Sequence, residues 1–310
     1  MKQTGRRFFA ALTAALLAVC LLLSSAAAEE EETAFVENEW NFVDGSMDVS
    51  HGIPETANGV LARIRENGVL RVATEPFFAP QEFIDPDLEG QAAYAGADME
   101  LARLIAERMG VELEIIPVDF TEVFRTVAND ECDLVISALS FTPARAIQSE
   151  MSKGYFFSDA PANITVIIRE GDAENIQAVG DLSDKTLIAQ RGSVQETVGV
   201  EHVLKYMEFR RAAQLQEVYE AVRDGSADAG IVDMENAQNY IRNNPGCGLV
   251  LVEGLRFTME EHFAGDRIAA KKGETELMYF VNGVIDEVLE KGLYTEWYRE
   301  AQKRADELGL

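Results

Sequence analysis

Two apolar strands in this chain run into polar turns whose residue types suit the binding of a small anion. In the first turn, Thr142 can cap a helix, Pro143 suits its first position, and Arg145 follows within one turn. Free backbone N–H groups at a helix start attract anions, and a guanidinium there can hold a carboxylate through two parallel hydrogen bonds. This turn therefore predicts a carboxylate site that uses Arg145.

The second turn lies at residues 187–196, where another apolar strand meets Gly192. Ser193 and Glu196 follow at the spacing of a capping box. Each turn, taken alone, is more typical of an ordinary capped helix than of a binding site. A third apolar strand ends at Asp233, whose carboxylate can accept hydrogen bonds from an ammonium group. Together the three features predict a pocket for a molecule that carries both a carboxylate and an amine.

The N-terminal residues 1–28 have the pattern of a signal peptide for secretion. Basic residues come first, an apolar stretch follows, and three alanines at 26–28 suit a cleavage site. The apolar stretch is shorter than the roughly 20 residues that a spanning helix needs, which disfavours a retained membrane anchor. Cys20 offers a lipoprotein alternative, but Val19 stands before it where a small residue is expected. We therefore expect a secreted protein, outside the cytoplasm, at the outer face of the membrane or in the periplasm.

The charge of the chain limits its partners. The 310 residues carry a formal net charge of −27, and nucleic acid or an anionic membrane would repel such a protein. A small anionic ligand remains compatible, because Arg145 acts locally and charges beyond about 8 to 10 Å are screened. Past residue 28 the only cysteines are Cys132 and Cys247, which we interpret as free thiols, and the three histidines are scattered. We expect no metal and no cofactor.

From residue 59 onward, strands and helices alternate, which is typical of a parallel-type sheet covered by helices on both faces. Residues 29–58 precede this region, begin with four glutamates and contain no Lys or Arg, so they are predicted to form an acidic spacer. Trp40, Phe42 and Val43 suggest that its later part packs on the body. The predicted strands are 69–74, 111–117, 134–137, 186–190 and 229–233, and the predicted helices are 98–109, 121–128, 195–207, 215–223 and, as a charged surface helix, 298–310.

One sequence pattern occurs twice in this region. A helix, a polar turn, an aspartate and an apolar strand follow one another up to Ser137 and again up to Asp233. The repetition predicts two α/β lobes of similar design. Their strand ends would frame a cleft, which is the usual position of a ligand in open α/β sheets.

With these segments the chain resembles the family 3 extracellular solute-binding proteins, the polar amino-acid receptors of ABC importers, over roughly residues 60–300. The resemblance implies an α/β, two-lobed, periplasmic-binding-protein-like fold with a hinge between the lobes and a ligand cleft. Lobe 1 would comprise residues 59–158 and 264–310, lobe 2 residues 163–260, and the crossings would lie near 158–161 and 261–264. The segments that carry the resemblance are 70–83, 94–102, 137–145, 192–196, 228–229 with Asp233, and 292–294.

The resemblance also implies roles for individual residues. Arg145 would clamp the α-carboxylate of the ligand with help from backbone groups at Ala138 and Ser140. From lobe 2, Asp233 would accept hydrogen bonds from the α-ammonium group. Ser193 and Val194 of lobe 2 would add backbone N–H donors. They stand where the family commonly has two threonines.

Three side chains would then shape the rest of the cleft. Phe78 and Phe120 match the aromatic positions that cover the ligand, although simple core packing explains them equally well. Glu75 matches a position that can meet the side-chain ammonium group of a basic ligand, or it is merely a solvated acid. Gln81 replaces a frequent aromatic residue, so the amino acid itself is left open.

The function implied by the resemblance is extracellular binding of a free amino acid and its delivery to the permease of an ABC importer. The protein would be a monomer and not an enzyme, with no catalytic residues. One alternative is an exported cyclohexadienyl (prephenate/arogenate) dehydratase-like enzyme on the same fold, for which Glu75 or Glu82 would have to act as the acid. The other alternative is a sensory ligand-binding domain.

Overall fold

The computed structural model describes residues 43–157, 163–258 and 265–310. The predicted signal peptide, Trp40, Phe42 and the two predicted crossings near 158–161 and 261–264 lie outside the described residues. Within the described ranges, no helix combines the length and the apolar character that crossing a bilayer requires. The alternation of strands and helices predicted from residue 59 is confirmed.

The strands are numbered β1 to β13 in chain order: Val69–Thr74, Phe77–Phe78, Glu82–Ile84, Tyr94–Ala95, Glu112–Pro117, Leu134–Ser140, Ser149–Met151, Ile164–Arg169, Thr186–Gln190, Glu208–Ala212, Ala229–Asp233, Leu249–Phe257 and Asp266–Lys271. The helices are numbered α1 to α9: Gly59–Asn67, Ala97–Met109, Val123–Ala128, Pro143–Gln148, Val194–His202, Leu215–Asp224, Met234–Asn243, Thr275–Lys291 and Leu293–Leu308. A short 3₁₀ turn, Phe120–Glu122, precedes α3.

The first large sheet has the strand order β5-β1-β6-β13-β7. Strand β1 pairs in parallel with both β5 and β6, whereas β13 runs antiparallel to β6 and β7. Apolar residues of α1, α2 and α8 cover one face, and residues of α3 and α4 cover the other. Because both faces are buried, the central strands β1 and β6 are mostly apolar and buried, which explains why β1 could be located from the sequence.

The second large sheet has the order β10-β9-β11-β8-β12 and follows the same plan. Strand β9 is parallel to β10 and β11, and β8 is antiparallel to β11. Helix α5 packs on one face, and α6 and α7 pack on the other. The prediction of two α/β units of similar design is therefore confirmed. The exact boundaries of the lobes stay a prediction.

The strands β1, β9 and β11 have the bounds that the sequence predicts, and α2 begins only one residue early. Strand β6 is longer than predicted and reaches Ser140, because it pairs there with Asp266 of β13. The helix predicted to run to Met207 is wrong, since α5 ends at His202. The Met207 N–H donates instead to the carbonyl oxygen of Lys185 at 2.9 Å, which leads the chain into the edge strand β10.

The segment before α1 packs along the first sheet and its helices. The Val43 N–H donates to the Met151 carbonyl oxygen at 3.0 Å, and the Met47 N–H donates to that of Tyr279 at 2.9 Å. A Cβ at Gly283 would lie 2.0 Å from the Met47 carbonyl oxygen, so only glycine allows this close approach. The later part of the acidic segment is thus ordered on the body, as Val43 suggests.

Candidate functional site

Arg145 joins the two turns that the sequence singles out. Thr142 caps α4 by accepting a hydrogen bond from the Arg145 backbone N–H at 3.2 Å, as predicted. The guanidinium then donates through Nη1 to the Ser140 carbonyl oxygen at 2.7 Å and through Nη2 to that of Gly192 at 3.1 Å. Ser140 ends β6 of the first sheet and Gly192 follows β9 of the second. A single side chain therefore brings the ends of both sheets together.

The Arg145 guanidinium is a buried cation. The residue is 6% exposed, and within the described part of the chain no carboxylate lies at ion-pairing distance from it. The rings of Phe120 and Phe124 lie 5.7 and 5.4 Å from its Cζ atom, so π-electrons supply part of the missing negative charge. Burial lowers the pKa of Arg145 to about 10, which leaves it protonated at neutral pH. A carboxylate of a ligand would be its natural counter-ion.

The second turn has the capping box predicted for it. The Ser193 Oγ accepts a hydrogen bond from the Glu196 N–H at 3.1 Å, and the Glu196 carboxylate accepts one from the Gly192 N–H at 2.7 Å. The Ser193 hydroxyl also donates to the Gln190 carbonyl oxygen at 2.7 Å. Val194 is the first residue of α5, so its N–H has no earlier turn to bind to. Val194 follows two residues after Gly192, whose carbonyl oxygen accepts a hydrogen bond from Arg145.

Asp233 ends β11 and caps α7. Its Oδ1 accepts a hydrogen bond from the Asn236 N–H at 2.9 Å, and the side chain is half-buried. Burial raises the pKa of Asp233 to about 7, and the negative charge of Glu235 contributes to the rise. A cation beside Asp233 would favour its ionised form.

Glu75 follows β1 and contacts the second sheet. The residue is 2% exposed, and its Oε1 accepts a hydrogen bond from the Nε2 of Gln190 at 2.7 Å. Burial raises the pKa of Glu75 to about 8. Gln190 is the last residue of β9, and its role was missed in the sequence. The available signal was its position, since it ends an apolar strand directly before the turn at Gly192.

The two aromatic residues predicted to cover the ligand occupy different surroundings. Phe78, in the small sheet β2-β3-β4, is half-buried and packs against the apolar cluster of the second sheet that includes Val232. Next to it, the Ala79 carbonyl oxygen accepts a hydrogen bond from the Asn236 Nδ2 at 3.1 Å. Phe120 packs in the first sheet's cluster beneath the Arg145 guanidinium. Phe78 thus reaches across the cleft, and Phe120 supports Arg145.

The backbone groups predicted to assist Arg145 already have partners within the protein. The Ala138 N–H donates to Oδ2 of Asp98 at 2.8 Å, and the Ser140 carbonyl oxygen accepts from Arg145. Their contact with a ligand stays a prediction. Asp98, missed in the sequence, is fully buried and also accepts hydrogen bonds from the hydroxyls of Tyr155 and Tyr294 at 2.9 and 2.6 Å. Its hydrogen bond from the Ala138 N–H holds Ala138 at a backbone φ of 45°, which residues other than glycine rarely adopt.

Helices α7 and α9 add contacts between residues of the two sheet units. The Tyr298 hydroxyl donates to Glu235 Oε2 at 3.0 Å, and the Asn239 Nδ2 donates to Gln302 Oε1 at 3.0 Å. Arg242 pairs with Asp306 at 2.8 Å. The structure therefore shows the arrangement in which the cleft residues of both units are in contact.

Comparison with known proteins agrees with this geometry. The family model of the bacterial extracellular solute-binding proteins, family 3, matches residues 70–301, and the chain belongs to this family. The arginine-binding extracellular protein ArtP of Bacillus subtilis is 27% identical over 235 residues, which cover 74% of this chain and 86% of ArtP. The cyclohexadienyl dehydratase of Pseudomonas aeruginosa is 27% identical over 185 residues, which cover 60% of this chain and 66% of the enzyme.

A solved structure extends the likeness to the fold. The amino acid ABC transporter substrate-binding protein AbpA from Streptococcus pneumoniae, bound to L-arginine, has a TM-score of 0.69 and 29% sequence identity. The match covers 78% of this chain and 98% of AbpA. The two-lobed, periplasmic-binding-protein-like fold is thereby confirmed. So is the class of function, which is the binding of a free amino acid for ABC import.

Proposed function

We propose that the cleft binds a cationic amino acid of the arginine type. The observation that carries the binding of an amino acid is the buried Arg145 guanidinium, which has no carboxylate at ion-pairing distance in the described part of the chain. The buried Glu75 carboxyl group supports the preference for a cationic side chain. The Arg145 Nη2 donates to the Gly192 carbonyl oxygen, which directly precedes Ser193 and the first residue of α5. A ligand carboxylate placed there gains charge-assisted hydrogen bonds and neutralises a buried cation.

The remaining charges of the proposed site favour a ligand with more than one cationic group. Once Arg145 is paired with the ligand carboxylate, Asp233 can pair with the α-ammonium group. Glu75 is then left as a second desolvated acid, and the Gln190 amide already positions it by donating to Oε1. A cationic side chain would shift Glu75 to its ionised form and regain the energy that burial costs the carboxylate.

The relatives support this ligand class. ArtP of Bacillus subtilis is named for arginine, and AbpA carries L-arginine in its structure. The L-arginine-binding protein of Pseudomonas aeruginosa is a further relative, 25% identical over 230 residues. In this chain, Glu75 supplies the acid that an arginine or lysine side chain would need.

Binding would couple to closure of the two lobes. Arg145 belongs to the first sheet unit, whereas Ser193 and Asp233 belong to the second, so one ligand would bridge both units. Such a ligand favours the closed form because only that form offers both sets of contacts, and its effect is limited to this difference in affinity. We propose that an ABC permease recognises the closed protein. We also propose that the protein is a monomer, secreted after removal of residues 1–28.

A thermal-shift screen of the common amino acids, ornithine and citrulline tests the proposed function. At a ligand concentration of a hundred times Kd the stabilisation amounts to about 2.7 kcal/mol, so binding is readily detected. We expect arginine, lysine or ornithine to stabilise the protein most. A screen in which no amino acid raises the melting temperature would contradict the proposal.

A dehydratase is the second candidate, and a specific observation favours it. Glu75 is a buried carboxyl group whose pKa of about 8 keeps it protonated at neutral pH, as a general acid requires. The cyclohexadienyl dehydratase of Pseudomonas aeruginosa is a relative. Incubation with prephenate, followed by absorbance of phenylpyruvate, distinguishes the two functions. We propose binding without catalysis and expect no product above the rate without protein.

A further inference from the structure

Asp266 is a cleft acid that neither the sequence motifs nor the family resemblance single out. It begins β13 and pairs across the strands with Ser140, the residue whose carbonyl oxygen holds Arg145. Its backbone is fixed on the other side, where its N–H donates to the Phe156 carbonyl oxygen and its own carbonyl accepts from the Tyr155 N–H, both at 2.9 Å. Paired residues of neighbouring strands project to the same face, so Asp266 lies on the face of Ser140.

The side chain of Asp266 has no hydrogen bond or ion pair with any residue that the structure describes, although the residue is half-buried. Its neighbour Arg267 projects to the opposite face, where Nη1 donates to the Ser152 carbonyl oxygen and the Cζ atom lies 5.0 Å from the centre of the Phe141 ring. Alternation along the strand therefore places the Asp266 carboxylate on the face opposite to Arg267, at the strand end where the Ser140 carbonyl oxygen holds Arg145.

The groups that act on Asp266 come from both sheet units. Besides burial, which raises the pKa of Asp266 well above its usual range, the negative charges of Asp98, Asp233 and Glu235 act in the same direction. The positive charge of Arg145 opposes them. Asp233 and Arg145 thus both act on Asp266, the first as a like charge and the second as an opposite charge. An arrangement of this kind gains most from a second cation.

We propose that Asp266 is a second acceptor for the α-ammonium group of the ligand, which it shares with Asp233. This proposal rests on the proposed binding of an amino acid. An ammonium group has three N–H donors. Asp233 already uses Oδ1 to accept the Asn236 N–H, whereas both oxygens of Asp266 are without a partner in the described part of the chain. Asp266 therefore makes the cleft selective for ligands that carry an α-ammonium group.

The test compares two ligands and two matched variants. L-arginine and 5-guanidinopentanoic acid, which is arginine without its α-amino group, are titrated calorimetrically into the parent protein, Asp266→Asn and Glu235→Gln. Asparagine keeps the size of the side chain and removes its charge. Glu235 also acts on Asp266 electrostatically but accepts a hydrogen bond from Tyr298, so Glu235→Gln controls for the general negative potential.

We expect Asp266→Asn to weaken arginine binding about tenfold to a hundredfold, as the loss of a charge-assisted hydrogen bond does. Binding of 5-guanidinopentanoic acid should change less than about threefold in the same variant, and Glu235→Gln should change either ligand no more than that. An equal loss for both ligands, or no loss for arginine, would overturn the role of Asp266. A parent protein that binds no arginine would instead contradict the proposed ligand class.

Discussion

The surroundings of Arg145 and of Glu75 differ in what fixes the charged group. Arg145 is held by backbone carbonyl oxygens of Ser140 and Gly192, which are set by the strand ends of the two sheets. Glu75 contacts the second unit through one side-chain hydrogen bond, from Gln190. The first arrangement depends on the fold, and the second depends on the identity of two side chains. We infer that the fold sets the binding of the common α-carboxylate, whereas Glu75 and Gln190 set the choice of amino acid.

The largest expected effect comes from removing the Arg145 guanidinium. Arg145→Met should lower the affinity for L-arginine a hundredfold or more, because the ligand carboxylate would enter a buried site without a counter-ion. The ligand-free variant should melt at the same temperature as the parent or higher, since a buried cation without a carboxylate is replaced by an apolar chain. Calorimetry and thermal unfolding measure the two effects.

Arg210→Gln is the matched control for that experiment, because Arg210 pairs with Glu208 at the surface of the second sheet unit. It should leave both the affinity and the melting temperature nearly unchanged. A loss of arginine binding in Arg145→Met that is no larger than in this control would show that Arg145 does not hold the ligand.

The side-chain site is tested by Glu75→Gln. We expect the affinity for L-arginine to fall about tenfold to a hundredfold, because a charged partner of the ligand side chain is lost. The affinity for L-glutamine should change much less, so the preference for L-arginine over L-glutamine becomes smaller. Titration of both amino acids gives this ratio.

The control is Asp119→Asn, which removes an exposed acid whose negative charge acts on Glu75. It should preserve the preference for arginine. If Glu75→Gln lowers the affinities for both amino acids by the same factor, Glu75 supports the cleft and does not select the ligand.

The pH dependence of stability tests the protonation of the buried acids Glu75 and Asp233. Burial raises the pKa of Glu75 from 4.5 to about 8 and that of Asp233 from 3.8 to about 7. A raised folded-state pKa means that the folded protein holds protons that the unfolded chain releases, so stability falls as pH rises from about 4 to 8. Thermal unfolding of the ligand-free protein should therefore show a melting temperature that decreases by several degrees from pH 5 to 8.

The double variant Glu75→Gln, Asp233→Asn should make that decrease smaller, and Asp266, whose pKa is also raised by burial, accounts for part of what is left. The affinity of the parent for arginine should change in the opposite direction and rise with pH over the same window, because the bound cation favours both ionised carboxylates. A melting temperature that increases from pH 5 to 8 in the ligand-free parent would contradict the assigned protonation of the two acids.

The smallest effect is expected at the contact between α7 and α9. Asp306→Ala removes the ion pair with Arg242, which joins the two units away from the proposed ligand site. Exposed pairs contribute less than about 1 kcal/mol, so arginine affinity should fall no more than about fivefold. Asp286→Ala, which breaks a surface pair with Lys153 beside the first sheet, is the control in the same calorimetric assay. A fall of more than tenfold would show that this contact governs closure.

The sequence predicts those parts of the site that depend on patterns of neighbouring residues. Apolar runs located β1, β9 and β11, and capping residues marked the turns that contain Arg145 and Ser193. Asp233 was marked by its position at the end of an apolar strand. The other contributors act through pairings between distant segments. Gln190 meets Glu75 across the two sheets, and Asp266 pairs with Ser140, so neither partner follows from neighbouring residues. The predicted helix 195–207 is too long for the same reason. The chain after His202 leads into β10, which pairs with β9.

The most direct test of the account is a crystal structure of the protein grown with L-arginine. The account predicts that the α-carboxylate lies within hydrogen-bonding distance of the Arg145 guanidinium, with the α-ammonium group beside Asp233 and the side-chain guanidinium beside Glu75. A ligand whose carboxylate lies away from Arg145, or a cleft in which Arg145 and Asp233 contact no common molecule, would contradict it.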